Sequence, residues 1–159
     1  TCTTRIPREG EIDGVDYYFL SDEEFMRRVE AAEFLEHAEV YGNRYGTMKS
    51  AVREMLAVGR DVLLVNDVQG AMAVSAMADQ DAELKQALTT VCLMTDGMEE
   101  LRNRLESRNA DDPEAIQERL ALAETEMKQK GRFDHVIISG TKSEDWQRVQ
   151  AIYQSAQKK

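Results

Sequence analysis

A chain of 159 residues with 42% hydrophobic content is long enough for one compact domain with a sizeable core, and its composition is that of an ordinary globular protein. With 30 acidic against 20 basic residues the net charge is −10, which repels polyanions and argues against a long nucleic-acid groove. A small anion remains compatible, because a local arginine cluster acts within the screening distance of about 10 Å.

No run reaches the length of a membrane span, and the start TCTTR has neither an initiator Met nor the apolar core of a signal peptide. Cys2 and Cys92 are too few for a metal site or a disulfide framework. Both are expected as free thiols of a reducing compartment, which favours the cytoplasm.

In chain order, the first block is Thr3–Phe19 (TTRIPREGEIDGVDYYF), where Arg5 and Arg8 flank Pro7 and Gly10 and Gly14 supply turns. Guanidinium forks stay charged and can give two parallel hydrogen bonds, so the pair suits a phosphate. A solvated basic loop explains R-x-x-R alone equally well. Ser21–Glu24 reads as a capping box with Leu20 and Phe25 as a hydrophobic staple, predicting a helix over 22–32 with Phe25 and Val29 inward. The block Phe34–Thr47 (FLEHAEVYGNRYGT) follows, then a helix over 48–58 with Val52 and Leu56 on one face and Gly59 as its stop.

Beyond Gly59 the pattern becomes βα units. Asp61–Asn66, Thr90–Met94 and Phe133–Ser139 are short apolar runs expected as buried parallel strands. Helices are expected over 70–78, after Asp67 as a cap, over the stripe Met98, Leu101 and Leu105, and from Asp112-Pro113 with Ile116, Leu120, Ala123 and Met127 inward. A last helix carries Trp146, Val149 and Ile152 on one face and takes Ser143 as its cap. Such alternation implies a mostly parallel sheet with right-handed crossovers.

Taken together, Thr3–Phe19, Phe34–Thr47 and DVQG at 67–70 resemble, in order, the guanylate kinases, and the resemblance covers nearly the whole chain. It implies an α/β fold, a P-loop-kinase-like sheet flanked by helices, with an inserted GMP-binding subdomain (1–58), a core (59–96 and 129–159) and a helical lid (97–128). The implied reaction is in-line transfer of the ATP γ-phosphoryl group to GMP, giving GDP and ADP, with Mg²⁺.

The resemblance also assigns roles. Arg5, Arg8, Tyr17 and Tyr45 would hold the GMP phosphate, with the Thr1 hydroxyl nearby. Glu36, Thr47 and Asp67 would read guanine, since a carboxylate accepts from N1–H and the exocyclic amino group while a hydroxyl donates to O6. Arg104, Arg108 and Arg119 match the lid arginines that spread charge from the transferring phosphoryl group, although ordinary surface pairing would explain them by themselves. Ser139 would supply part of the ATP contact. His37 and His135 lack metal-ligand company and are expected at the surface or behind other residues.

Three departures qualify the resemblance. No G-x-x-x-x-G-K-[ST] run occurs in the 159 residues, so the cradle for the donor phosphates is not among them and the chain as written is expected to be inactive or very weak. Val65 stands where the family commonly has an acid, and the last strand ends Ser139-Gly140 in place of Asn-Asp. With a thin three-stranded core, stability is expected to depend on self-association or on complementation by a preceding segment. The competing reading is a non-catalytic guanylate-kinase-like module that binds a protein or phosphopeptide.

Overall fold

The structure, a computed structural model, describes residues 1–40, 42–107 and 113–157. These form two compact units, Thr1–Ala87 and Leu88–Lys159. The first unit holds strands β1 (Cys2–Thr3), β2 (Tyr18–Phe19), β3 (Phe34–Val40) and β4 (Asn43–Met48), with helices α1 (Asp22–Glu30), α2 (Lys49–Ala57), α3 (Val68–Ala78) and α4 (Ala82–Ala87). The second holds β5 (Val91–Met94), α5 (Met98–Ser107), α6 (Pro113–Met127), β6 (His135–Ile138) and α7 (Lys142–Ala156).

In the first unit the sheet order is β2-β1-β4-β3. The strand pair β1·β2 is parallel, while β1·β4 and β3·β4 are antiparallel. Its core is Cys2, Phe25 and Phe34, with Leu20, Val29 and Met48 packed around them. The rings of Phe25 and Phe34 stack at 4.6 Å. Gly46 permits that approach: a Cβ there would meet the Phe34 ring at 2.8 Å and Phe25 at 3.2 Å. Phe25 is inward as its spacing predicts, and burial of the ring is what holds α1 against the hairpin.

Ser21 caps α1 by accepting from the Glu24 N–H at 3.1 Å. The Glu24 carboxylate is drawn to Arg27 and Arg28, at 2.8 and 2.7 Å. Bonds first from Arg27 and then from Arg28 hold its carboxyl down to about 2 from an ordinary 4.5. A depressed carboxyl stabilises the folded form above its unfolded value and stops doing so as pH falls through its folded one. The expected result is a Glu24 carboxyl titration, followed by carbon NMR, centred near 2; a midpoint at the ordinary value would remove these bonds from α1.

In the second unit β5 and β6 pair in parallel, Val91 opposite His135 and Met94 opposite Ile138. Its buried cluster is Leu105, Ile116 and Leu120, with Met98 and Leu101 against it, so the expected stripes on α5 and α6 do meet. Pro113 opens α6 as expected at a first helical position. The start at Asp112 and the turn Asn109–Asp112 lie outside the described residues.

Several expectations fail. β5 and β6 form and pair in parallel but are not buried along their length, with Leu93, Val136 and Ile138 exposed. Ser21 caps α1 without the reciprocal half of a capping box, because the Glu24 carboxylate turns to Arg27 and Arg28. Asp61–Asn66 is no strand: it lies outside both sheets, with Leu63 and Val65 exposed at 85% and 91%. An apolar run becomes a strand only where a neighbour supplies a ladder, and among the described residues none runs beside it. The cap of α7 is Thr141 rather than Ser143, in a full capping box with Glu144. Trp146 is exposed at 65% rather than packed with Val149 and Ile152, which are half-buried. Thr141→Ala is expected to weaken the first turn of α7 by about 1 kcal/mol, seen as roughly fivefold faster amide exchange there. An unchanged exchange rate would mean that the cap contributes nothing.

Candidate functional site

β1 ends at Thr3 and hands the chain directly to Arg5, whose N–H donates to the buried Thr3 Oγ1 at 3.1 Å. The loop then turns back through Gly10 and Gly14, both in the left-handed region at φ 87° and 77°. Asp13 Oδ1 accepts from the Phe19 N–H at 2.8 Å, and Asp16 Oδ2 from Ile12 N–H at 2.8 Å, so side chains close the loop together with the backbone bond from Gly14 N–H to the Tyr17 carbonyl at 2.7 Å. It returns as β2, which brings Tyr17 and Phe19 beside Arg5.

The Arg5 guanidinium lies 5.5 Å from the Tyr17 ring centre and 5.8 Å from that of Phe19. Tyr45, opposite Thr3 across the β1·β4 ladder, meets Tyr17 edge-on at 6.3 Å. Arg5, Tyr17 and Tyr45 are therefore one cluster. Arg5 also donates to Glu11 Oε1 at 2.8 Å and to the Ile6 carbonyl at 2.9 Å. The bond to Glu11, ahead of other causes, raises the Arg5 pKa above its ordinary value, so its charge is permanent. Arg8 sits on the same loop with an exposed side chain. Thr1 is exposed, its carbonyl accepting from the Tyr18 N–H at 3.0 Å.

Glu36 and Thr47 are partners across the β3·β4 ladder. The buried Thr47 hydroxyl donates to Glu36 Oε1 at 2.6 Å. A register shift between Phe34 and Glu36 accompanies this pairing. Without it the alternation that buries Phe34 would send Glu36 to the same face; the shift re-aims the acid while Phe34 and Leu35 remain buried. Asp67 caps α3, accepting from the Gly70 N–H at 2.7 Å, and α3 packs against β3. A Cβ at Gly70 would lie 2.9 Å from the Asn66 amide nitrogen and 3.2 Å from Asp67 Oδ1, so a side chain there would require Asn66 to shift. Val65, upstream of that cap, points into solvent.

In the second unit Arg104 on α5 donates to Ser139 Oγ at 3.1 Å and to Glu100 Oε1 at 2.5 Å. The Ser139 hydroxyl in turn donates to Asp145 Oδ2 at 2.7 Å, and Asp145 Oδ1 accepts from the Gly140 N–H at 2.9 Å. That backbone bond first, then Ser139, pushes the Asp145 carboxyl below its ordinary value. Glu100 is likewise lowered, by the Asp96 N–H and then by Arg104. The Ser139 proton is thus committed to Asp145, which leaves its oxygen as the group available to others. Arg119 is half-buried on α6. Arg108 lies outside the described residues.

Glu11, Phe19, Glu100 and Asp145 belong to these constellations and sequence reasoning did not single them out. Glu11 could have been found from its place three residues after Arg8 in a glycine-containing turn, and Glu100 from its i,i+4 spacing to Arg104. The bonds of Asp145 to Ser139 and Gly140 carried no signal, because both partners come from the turn after β6; only its i,i+3 spacing to Arg148 is local.

Among the described residues no group of three or more His, Cys, Asp or Glu is placed to hold a metal ion. Both cysteines are free thiols, and burial pushes each one's pKa up. No helix of the described residues is long and apolar enough to cross a membrane.

Comparison with known proteins gives one answer. The family model described as "Guanylate kinase" matches residues 1–156. The guanylate kinase of Symbiobacterium thermophilum is 45% identical over 139 residues, which is 87% of this chain and 63% of the relative. That of Alkalilimnicola ehrlichii is 40% identical over 151 residues, 95% of this chain and 71% of the relative. The crystal structure of guanylate kinase from Anaplasma phagocytophilum matches with a TM-score of 0.73 at 34% identity, covering 99% of this chain and 74% of that one. The chain thus spans roughly two thirds of the length of such relatives.

Proposed function

The chain belongs to the guanylate kinase family, and from that premise we propose that it carries the GMP side of an ATP:GMP phosphotransferase. The observation that carries the reading is the paired Glu36 and Thr47 in the same unit as the cluster of Arg5, Tyr17 and Tyr45. An acid beside a hydroxyl suits a purine edge with two donors and one acceptor; an arginine among tyrosines suits a phosphate monoester. GMP has both ends.

In this reading Arg5, Arg8, Tyr17 and Tyr45 bind the acceptor phosphate, with Thr1 beside them. Glu36, Thr47 and Asp67 read the base, Asp67 while still capping α3. Residues 1–58 are the GMP-binding subdomain and 97–128 the lid, from which Arg104, Arg108 and Arg119 offset charge on the transferring group. Arg104 is held by Ser139 and Glu100 through one N–H on each terminal nitrogen, which leaves its other N–H groups for the phosphoryl oxygens.

ATP is the co-substrate that the family implies. Its β- and γ-phosphates need a backbone cradle and a lysine, and Mg²⁺ is ordinarily held by one or two protein oxygens together with the phosphates themselves. No such run occurs in the 159 residues. Ser139 is the residue here that could touch the nucleotide, through its oxygen. Full GDP formation is therefore expected to require residues beyond these.

Titration calorimetry of the folded chain with GMP and AMP tests the reading. The expected outcome is saturable GMP binding with AMP at least about tenfold weaker, the loss attached to an unpaired donor or acceptor at the base. AMP binding as tight as GMP, or neither nucleotide bound, would overturn it and leave the protein- or phosphopeptide-binding module as the better account.

A further inference from the structure

Glu11 has no role in the reading above, yet it joins both candidate phosphate arginines. Its Oε1 accepts from Arg5 Nη2 at 2.8 Å and its Oε2 accepts from the Arg8 backbone N–H at 2.7 Å. The side chains of Arg5 and Glu11 are largely shielded, at 16% and 19% exposure, unlike the other arginine–carboxylate pairs of this unit. The Glu11 N–H also donates to the Arg8 carbonyl at 3.1 Å, so residues 8–11 close a turn on themselves.

We infer that Glu11 is a positioning residue for phosphate recognition, one that fixes the Arg5 fork and the Arg8 turn before a phosphate monoester arrives. The inference rests on the acceptor-site reading of Arg5 and Arg8. An arginine side chain has large rotamer freedom, and its fork is useful only in one plane. Here Glu11 and the Ile6 carbonyl take one N–H from each terminal nitrogen, and the Tyr17 and Phe19 rings bound the guanidinium. The orientation is thereby set while further N–H groups stay available, which is the condition for a ligand to bind without first ordering the side chain.

A carboxylate next to an anion site also repels the anion. That repulsion is offset by the Arg5 charge bonded directly to Glu11, whereas loss of the anchor releases Arg5 and the turn together. Lowering of the Glu11 carboxyl, by the Arg5 bond first and the Arg8 N–H second, agrees with an acid that stays ionised in this place.

The test is calorimetric titration of the full chain and its Glu11→Ala and Glu11→Gln variants with GMP and with guanosine, each first shown folded by a thermal melt. Glu11→Ala is expected to weaken GMP roughly tenfold and guanosine hardly at all, the size of one charge-assisted hydrogen bond. Glu11→Gln, which keeps one acceptor for two donors, falls between. GMP affinity unchanged or tightened, or GMP and guanosine falling together, would overturn the inference while leaving the acceptor-site reading standing. Loss of the folded melt in both variants would overturn it too, since the carboxylate would then be holding the chain rather than the arginine. Absence of GMP binding by the unaltered chain would remove both.

Discussion

Replacing Glu36 by Gln is expected to lower GMP affinity roughly a hundredfold and to bring the GMP and AMP affinities close together. A carboxylate offers acceptors to both guanine donors, whereas an amide offers one acceptor and turns an N–H₂ toward the other donor. Thr47 keeps a partner in the variant, because the Gln oxygen can still accept from its hydroxyl, now donated to Glu36 Oε1 at 2.6 Å. The loss is therefore expected in ligand recognition and not in the hairpin. Competition titration with GMP and AMP reads it directly, and a variant that kept its preference for GMP would take Glu36 out of base recognition.

Arg5→Ala is expected to weaken GMP by roughly tenfold to a hundredfold while guanosine binding changes little, because only the phosphate contact is charge-assisted. The substitution also frees Glu11, which would then stand as an uncompensated acid beside the site. For that reason Arg5→Lys is expected to recover only part of the affinity: a point charge answers Glu11 but lacks the planar fork that lies near Tyr17 and Phe19. Equal losses for GMP and guanosine would contradict a phosphate role for Arg5.

In the proposed reading, stability and recognition share residues. Asp67 caps α3 with the same carboxylate that the base-reading role requires, and Thr47 is a buried hydroxyl whose hydrogen bond satisfies it in the sheet. Asp67 keeps acceptor sites beside its cap bond, whereas the Thr47 hydroxyl has to redirect the one proton it gives to Glu36, so net affinity from Thr47 is smaller than a bare hydrogen bond would suggest.

Local signals were legible where the cause is local. Ser21 and Asp67 as caps, Pro113 at a first helical position, and the inward stripes of α1, α5 and α6 follow from side chains bonding or packing within a few residues. Thr141 displaced Ser143 by two positions because either hydroxyl suits a cap and the choice rests on which one has an acid three residues on; Glu144 answers Thr141. The apolar run Asp61–Asn66 reads as a strand, but an apolar run is only half of the requirement, the other half being a neighbour's ladder.

By itself, the sequence determined the family, the helix caps and the residue types that a phosphate and a guanine edge call for, since these are written in order along the chain. Only the tertiary structure decided which of them act together. The cross-strand pairing of Glu36 with Thr47 depends on a register shift, the meeting of Arg5 with Tyr17 and Tyr45 on three strands, and the Arg104–Ser139–Asp145 chain on a parallel ladder and the turn after it. Register and ladder are properties of pairs of segments distant in sequence, and no single segment carries the information that sets them.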